Sequence, residues 1–152
     1  MIVRTFLFLV FNFLALAVGG FFTGQGVVSS WYQELEKAPW TPPGWVFGAA
    51  WTTIMICYAF YMAYLWGAKE NKSQILLLFA LQWILNVAWN PVFFYYQNVL
   101  MALLIIVSLT VLMGFFFFYF LLDQKYKSLF VLPYFIWLLI ATSLNAFILL
   151  RN

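Results

Sequence analysis

Three side-chain amides recur at intervals of four residues in one strongly apolar stretch: Gln82, Asn86 and Asn90. This spacing places them on one face of an α-helix. An amide that faced lipid would leave its polar atoms without partners, so we expect this face to point toward other helices. Two interpretations remain open. The amides could join helices by hydrogen bonds, or they could bind a ligand, which a nearby cavity would favour.

Aromatic side chains occur at helical spacing in the same stretch and in two others. Trp89 follows Asn86 by three positions, and Pro91 removes a backbone donor, which predicts a local bend. Near the end of the chain, Trp137, Ala141 and Asn145 lie on successive turns. Such stripes usually pack helices together, and contact with a flat ligand is the alternative. A further stripe consists of Trp51, Met55, Tyr58 and Met62.

Residues that most catalytic and metal sites require are scarce. There is no histidine, so a histidine-ligated metal or a Ser-His-Asp triad lacks its parts. The net charge of +3 is spread without a basic cluster, so we expect no nucleic-acid binding. We likewise expect no metal and no required cofactor. The only acidic residues, all near the ends of apolar runs, are Glu34, Glu36, Glu70 and Asp123.

The elements that position these residues must be membrane helices. Hydrophobic residues make up 67% of the chain and charged residues 7%, far from the composition of soluble domains. Crossing a bilayer takes about 20 apolar residues. We therefore predict an all-α integral membrane protein, a single domain over residues 1–152 built as a bundle of five transmembrane helices. The predicted spans are about 5–22, 45–66, 75–96, 99–122 and 129–150.

The distribution of basic residues predicts an orientation. Five lie on one side of the membrane, which we call the basic side, and only Lys37 and Arg151 lie on the other. By the positive-inside rule, the amino terminus would be cytoplasmic in a bacterial cell membrane, although an outer membrane is not excluded. The first span could also be a signal peptide, but because four spans follow, we expect it to remain uncleaved. The five residues of the basic side are Arg4, Lys69, Lys72, Lys125 and Lys127.

One long connection, residues 24–44, is too polar to cross hydrocarbon. Its aromatic residues Trp31, Tyr32 and Trp40 favour an ordered loop over disorder. Aromatic residues at span ends, Trp40 among them, are also explained by the interfacial belt of membrane proteins. Two glycine pairs, Gly20-x-x-x-Gly24 and Gly44-x-x-x-Gly48, match a helix-association pattern that is weak at span ends.

Three blocks of residues carry a resemblance to a known family. On these blocks the chain resembles the bacterial members of the translocator protein family, which includes the tryptophan-rich sensory proteins and the peripheral-type benzodiazepine receptors. The blocks are Trp31-Tyr32-x-x-Leu35-x-Lys37-x-x-Trp40-x-Pro42-Pro43-x-Trp45-x-Phe47-Gly48-x-x-Trp51-Thr52, Gln82-x-x-Leu85-Asn86-x-x-Trp89-x-Pro91-x-Phe93-Phe94, and Pro133-Tyr134-x-x-Trp137-x-x-x-Ala141-Thr142-x-Leu144-Asn145.

The resemblance implies a homodimeric five-helix protein that binds porphyrins and benzodiazepine-type ligands in an aromatic pocket. The porphyrins are protoporphyrin IX and haem-type tetrapyrroles, and the function implied is that of a stress or tetrapyrrole receptor. Trp31 and Trp40 would belong to the loop 24–44, which would act as the lid. By motif position, the pocket would be lined by Trp51, Asn86, Trp89, Trp137 and Ala141.

Some bacterial members are associated with light- and oxygen-dependent porphyrin degradation. Trp51 and Trp137 match the tryptophans implicated there, and would act as oxidisable groups because the chain offers no general acid or base. The alternative function is transport of tetrapyrroles or other amphiphiles, although no carboxylate is placed to couple it to ions. A purely structural subunit would bind no ligand.

The sequence departs from the family pattern in three places. Ala38-Pro39 stands where Lys-Pro is usual, and Ala49 replaces a common proline. The last helix lacks the tyrosine of the cholesterol motif, so we expect no strong cholesterol recognition.

Overall fold

The computed structural model describes residues 1–152 and consists of helices without any β-strand. Five helices are long and apolar enough to cross a membrane, which confirms the predicted all-α, five-span integral membrane protein. Two short helices, α2 (Ser30–Glu34) and α6 (Leu121–Gln124), lie in the connections. The five long helices are α1 (Ile2–Gly26), α3 (Gly44–Ala68), α4 (Lys72–Asn90), α5 (Val99–Tyr119) and α7 (Leu132–Arg151).

The ends of several helices differ from the predicted spans by a few residues, for example at α1, which ends at Gly26 instead of residue 22, and around the last connection. Helix α5 ends at Tyr119, earlier than the predicted residue 122, and α7 begins at Leu132 rather than 129. A 3₁₀-helix over Lys125–Phe130 and a positive φ of 51° at Lys125 turn the chain here. The residues on either side of this polar turn, 120–122 and 129–131, are apolar, so hydropathy could not mark the helix ends. Pro133 fits the first turn of α7, where no backbone donor is needed.

The five long helices form a closed ring. Helix α1 packs against α3 and α4, α4 packs against α5, α5 against α7, and α7 returns to α3. Helix α3 contributes the largest share of the fully buried core, including Tyr58 and Met62, which belong to the predicted stripe. The inner faces of α3, α4 and α7 therefore point into one shared interior.

Close contact between α1 and α4 depends on two glycines outside the predicted glycine pairs. A Cβ on Gly19 would lie 2.6 Å from the Asn90 amide nitrogen, and one on Gly26 would lie 2.1 Å from Cδ1 of Phe94. By contrast, nothing lies within 4 Å of a Cβ on the predicted pairs. Those pairs, Gly20 and Gly24 with Gly44 and Gly48, therefore make no helix contact inside the chain.

Helix α4 continues into a π-helical turn over Pro91–Tyr95, at the place where Pro91 predicted a local bend. The Tyr96 amide donates to the Pro91 carbonyl across five residues, at 2.9 Å. This wide turn buries both Phe93 and Phe94. The Phe93 and Phe94 rings lie at the end of α4, where the loop after α1 contacts them.

Candidate functional site

Trp51 and Trp137, the two tryptophans singled out by resemblance, belong to one aromatic cluster between α3 and α7. The Trp51 ring meets Tyr134 edge to face at 5.7 Å between centroids, and Phe47 meets Trp137 in the same way at 5.3 Å. Each pair contributes about 0.5–1.5 kcal/mol beyond its burial. Because Phe47 and Trp51 are one helical turn apart, as are Tyr134 and Trp137, the four rings interdigitate.

Helix α4 is tied to this cluster by two hydrogen bonds to α7. The Gln82 amide nitrogen donates to the Tyr134 hydroxyl at 2.8 Å. About two helical turns further along α4, the Trp89 indole donates to Oδ1 of Asn145 at 3.0 Å. Both bonds lie inside the bundle, so the predicted pocket residues Trp51, Trp89 and Trp137 all belong to one connected interior.

The amide stripe of α4 divides into two roles. Gln82 joins α4 to α7, and Asn90 accepts a hydrogen bond of 2.8 Å from the Thr23 hydroxyl of α1. For these two amides the helix-joining interpretation holds. Between them, the Asn86 side chain is buried and forms no hydrogen bond within the protein. Its backbone carbonyl accepts a hydrogen bond from the Asn90 side-chain amide at 3.0 Å.

Further polar atoms inside the bundle lack partners. The Trp137 indole nitrogen, the Tyr58 hydroxyl and Oε1 of Gln82 are buried without a hydrogen bond. A buried group left in this way costs about 1–3 kcal/mol. Native proteins rarely keep several such groups together unless a water or a ligand binds them. The interior is therefore supplied with donors and acceptors that the chain itself does not use.

Ala141, the last predicted pocket residue, lies on α7 between Trp137 and Asn145 and is partly buried against the core. A small side chain at this position leaves room between a large ring and an amide. The structure thus brings the five predicted pocket residues onto the facing sides of three helices. Sequence reasoning did not include Phe47 and Tyr134, although both are spaced one turn from a predicted tryptophan.

Residues 27–43, between α1 and α3, are called the lid below. This segment is shorter than the predicted 24–44, because α1 continues to Gly26. Trp31 meets Phe93 edge to face at 5.6 Å. Trp40 donates a hydrogen bond of 3.2 Å to the Ser143 hydroxyl, and its ring meets Phe147 at 5.4 Å. The two predicted lid tryptophans therefore lie on opposite sides of the bundle end, where Trp31 contacts the end of α4 and Trp40 contacts α7.

Polar contacts hold the lid in place. The Lys37 ammonium group donates to the Tyr32 carbonyl at 2.7 Å and lies 4.6 Å from the centroid of the Tyr32 ring. Asn152 accepts from the Glu36 amide at 2.9 Å and donates to its carbonyl at 3.3 Å. Burial raises the pKa of the Tyr32 phenol above its ordinary value, so this ring stays neutral at physiological pH.

An outer groove also reaches the site. It has a volume of about 560 Å³ and lies between α3 and α7, where the surface is almost entirely apolar. Ala49 and Ala50 line one side and Trp137 lines the other, so this ring separates the groove from the aromatic cluster. The small side chains of Ala49 and Ala50 leave room for this groove, which the sequence did not predict.

Comparisons with known proteins found a matching family model and several similar proteins. The TspO/MBR family model matches residues 7–151. The tryptophan-rich protein TspO of Archaeoglobus fulgidus is 38% identical over 135 residues, which cover 88% of this chain and 87% of that protein. Protein CrtK of Rhodobacter capsulatus is 32% identical over 136 residues, 88% of this chain and 85% of that protein. The human translocator protein is 32% identical over 129 residues, 82% and 75% of the two chains.

Proposed function

The chain belongs to the TspO/MBR family, and from this membership and the geometry of the interior we propose that it is a membrane receptor for porphyrins. Protoporphyrin IX, a haem-type tetrapyrrole or a flat benzodiazepine-type molecule would bind among α3, α4 and α7, beneath the lid. The observation that carries the proposal is a set of unused polar groups beside aromatic rings. The set consists of the Trp137 indole nitrogen, the Tyr58 hydroxyl and Oε1 of Gln82, which are buried without a partner, and the buried Asn86 amide.

The chemistry of such a ligand fits these groups. A porphyrin offers a large flat face for aromatic side chains and polar edge groups for a few hydrogen bonds. The Asn86 amide and Trp137 indole N–H could donate to the edge, while Trp51 contacts the face. Each edge-to-face contact between the site rings is weak. Rotating these rings to admit a ligand therefore costs little free energy compared with what the ligand gains by burying its flat face.

Paired substitutions on α4 test the proposal. Asn86→Leu should leave stability unchanged or slightly higher, because the amide has no partner. It should weaken protoporphyrin IX binding about fivefold, since one hydrogen bond contributes about 1 kcal/mol. Asn90→Leu should instead destabilise the protein, because it removes the hydrogen bond that joins α1 to α4 and leaves the Thr23 hydroxyl only the Gly19 carbonyl of its own helix. Melting temperature and a porphyrin absorbance titration in the dark provide the two readouts.

Tryptophan variants complete this test. Trp51→Phe and Trp137→Phe should both weaken binding, whereas Trp45→Phe should not, because that ring is 75% exposed at the start of α3. Absence of saturable binding by the wild-type protein would reject the receptor and support a purely structural bundle. Binding that is equal in all variants would place the ligand elsewhere.

We further propose that illumination of the bound porphyrin degrades it. The site has no general acid or base, so the photoexcited ligand and oxygen must supply the driving force and a tryptophan the electron. Bleaching under light and oxygen should then slow in Trp51→Phe and Trp137→Phe when both variants are fully saturated with ligand. Bleaching at the wild-type rate in both would leave a receptor without this activity.

Transport of tetrapyrroles or other amphiphiles is the second candidate, and one observation favours it. The groove between α3 and α7 would give an apolar molecule a route from the bilayer to Trp137. Transport also requires release on the other side, which binding alone does not. Time-dependent flux of protoporphyrin IX into sealed vesicles, above that of protein-free vesicles, would support the transporter.

Orientation and assembly are also proposals. Arg4 and the other residues of the basic side lie at one end of the bundle, which supports a cytoplasmic amino terminus in a bacterial cell membrane. A homodimer follows from the family resemblance, and the open space over Gly20 and Gly24 leaves a helix face on which a second copy could pack. Cysteine labelling from each side and cross-linking in membranes would test the two statements separately.

A further inference from the structure

A small apolar cluster beneath the lid is separate from the main core of the bundle, and we call it the lid core. Its buried members come from the π-helical turn, α5 and α7, and residues of the lid pack against it. Trp89 is the one side chain that packs against both the main core and the lid core. The buried members of the lid core are Phe93, Phe94, Ala102 and Ile148, and the lid residues packed on it are Val27, Trp31, Tyr32 and Leu35.

Trp89 lies in the predicted ligand pocket and also supports the lid. Its ring stacks on Phe93, with 5.0 Å between centroids and 14° between the planes. Phe93 in turn meets Trp31 and Tyr32 edge to face, at 5.6 and 6.4 Å. Only one ring therefore separates a pocket tryptophan from the lid. A rotation of Trp89 would disturb the ring on which the lid packs.

The Asn145 side chain on α7 fixes the orientation of Trp89. Its Oδ1 accepts from the Trp89 indole, and its Nδ2 donates to the Val99 carbonyl at the start of α5, both at 3.0 Å. The second bond sets which way the amide points, because a flipped amide would place its NH₂ group against the indole N–H, donor against donor. Asn145 is 2% exposed, so bulk water does not compete for either bond.

We propose that Asn145 is a positioning residue that couples the ligand pocket to the lid through Trp89. A ligand bound against Trp89 would hold this ring in place and stabilise the lid core. Because coupling between two sites is reciprocal, the closed lid would also slow the release of the ligand. The porphyrin in this scheme rests on the proposed receptor function, whereas the contacts from Asn145 to the lid are present in the protein alone.

Hydrogen exchange of the ligand-free protein tests the coupling. Asn145→Leu removes the acceptor of the Trp89 indole and should make exchange in the lid about fivefold faster, the change expected for one lost hydrogen bond. Thr142→Val is the matched control, because it removes the 3.1 Å hydrogen bond between the Thr110 and Thr142 hydroxyls of α5 and α7, away from the lid core. This control should keep the wild-type exchange rate in the lid.

Three further variants test whether Asn145 acts through the stacked rings. Phe93→Leu removes the ring between Trp89 and the lid, so lid exchange should rise, and adding Asn145→Leu should raise it no further. Asn145→Asp keeps an oxygen that accepts from the indole, so its lid exchange should remain close to that of the wild type. Trp89→Phe removes the same hydrogen bond from the other partner and should reproduce the faster exchange, also where Asn145→Leu does not fold.

The ligand provides a second readout. Saturating protoporphyrin IX should slow lid exchange in the wild type. Asn145→Leu should lose most of this protection and release the porphyrin about fivefold faster, since the same bond is lost.

Three results would overturn the coupling. The first is lid exchange in ligand-free Asn145→Leu that rises no more than exchange in α3, which would indicate a general loss of stability. The second is additive effects of Phe93→Leu and Asn145→Leu on the lid. The third is porphyrin binding that leaves lid exchange in the wild type unchanged. Absence of porphyrin binding by the wild type would instead reject the receptor, and the ligand-free variants would still decide whether Asn145 controls the lid.

Discussion

Replacing Gly26 by alanine should separate α1 from the π-helical turn of α4. The new Cβ would lie 2.1, 2.4 and 2.5 Å from Cδ1, Cγ and Cβ of Phe94. Rotation of the ring cannot relieve all three contacts, because the Phe94 Cβ is fixed to its backbone. One helix must therefore move, and overpacking of this kind costs about 1–3 kcal/mol.

Gly24→Ala is the matched control for this prediction. It lies on the same helix, and nothing is within 4 Å of its added Cβ. Alanine is the better helix former by about 1 kcal/mol, so this variant should be neutral or slightly stabilised. For a chain of this size, each 1 kcal/mol changes the melting temperature by about 2–4 °C.

The assay is a thermal melt of both variants in the same detergent. Gly26→Ala should melt several degrees below the wild type, and Gly24→Ala at or above it. The variant at residue 26 should also show faster hydrogen exchange in the lid, because Trp31 and Tyr32 pack on Phe93 and Phe94. Equal melting temperatures for the two alanine variants would refute the close contact between α1 and α4 at Phe94.

Three other predictions concern single contacts. Ser143→Ala removes the acceptor of the Trp40 indole, so ligand dissociation measured by stopped flow should become a few-fold faster, and an unchanged rate would show that this bond does not hold the lid. Tyr134→Phe should cost about 1–3 kcal/mol in a denaturation assay by leaving the Gln82 amide unpaired, and adding Gln82→Leu should recover most of that loss. Because burial raises the pKa of Tyr32, the contribution of this ring to lid stability should be complete below pH 10 and should be lost as the pH rises above the folded pKa. Hydrogen exchange in the lid should therefore increase at alkaline pH in the wild type, and Tyr32→Phe should lack this increase.

The sequence was sufficient to predict five spans, because hydropathy over about 20 residues depends only on local composition. It was also sufficient to place Gln82, Asn86 and Asn90 on one helix face. It did not determine which of the three would find a partner. That depends on the order of helices in the ring, which brings Tyr134 beside Gln82 and Thr23 beside Asn90.

Glycine spacing and the lid show where local patterns are not enough. The recognisable pair Gly20 and Gly24 faces open space, while Gly19 and Gly26 allow the close contact. Their spacing of seven residues carries no motif, and only the neighbouring helix gives it meaning. Asn152 bonds Glu36 across 116 positions, a pairing that no periodicity can indicate.

The lid packs on two rings of the π-helical turn after Asn90, so its attachment depends on the number of residues in that turn as well as on their types. The π-helical turn holds one residue more than an α-helical turn, and each residue rotates an α-helix by about 100°, so without it the rings of Phe93 and Phe94 would point in another direction. Deleting one residue from the turn should restore α-helical geometry and turn one of these rings outward. Such a deletion would release Trp31 and Tyr32 without altering any side chain of the ligand site, and among relatives it would leave a one-residue gap in an alignment.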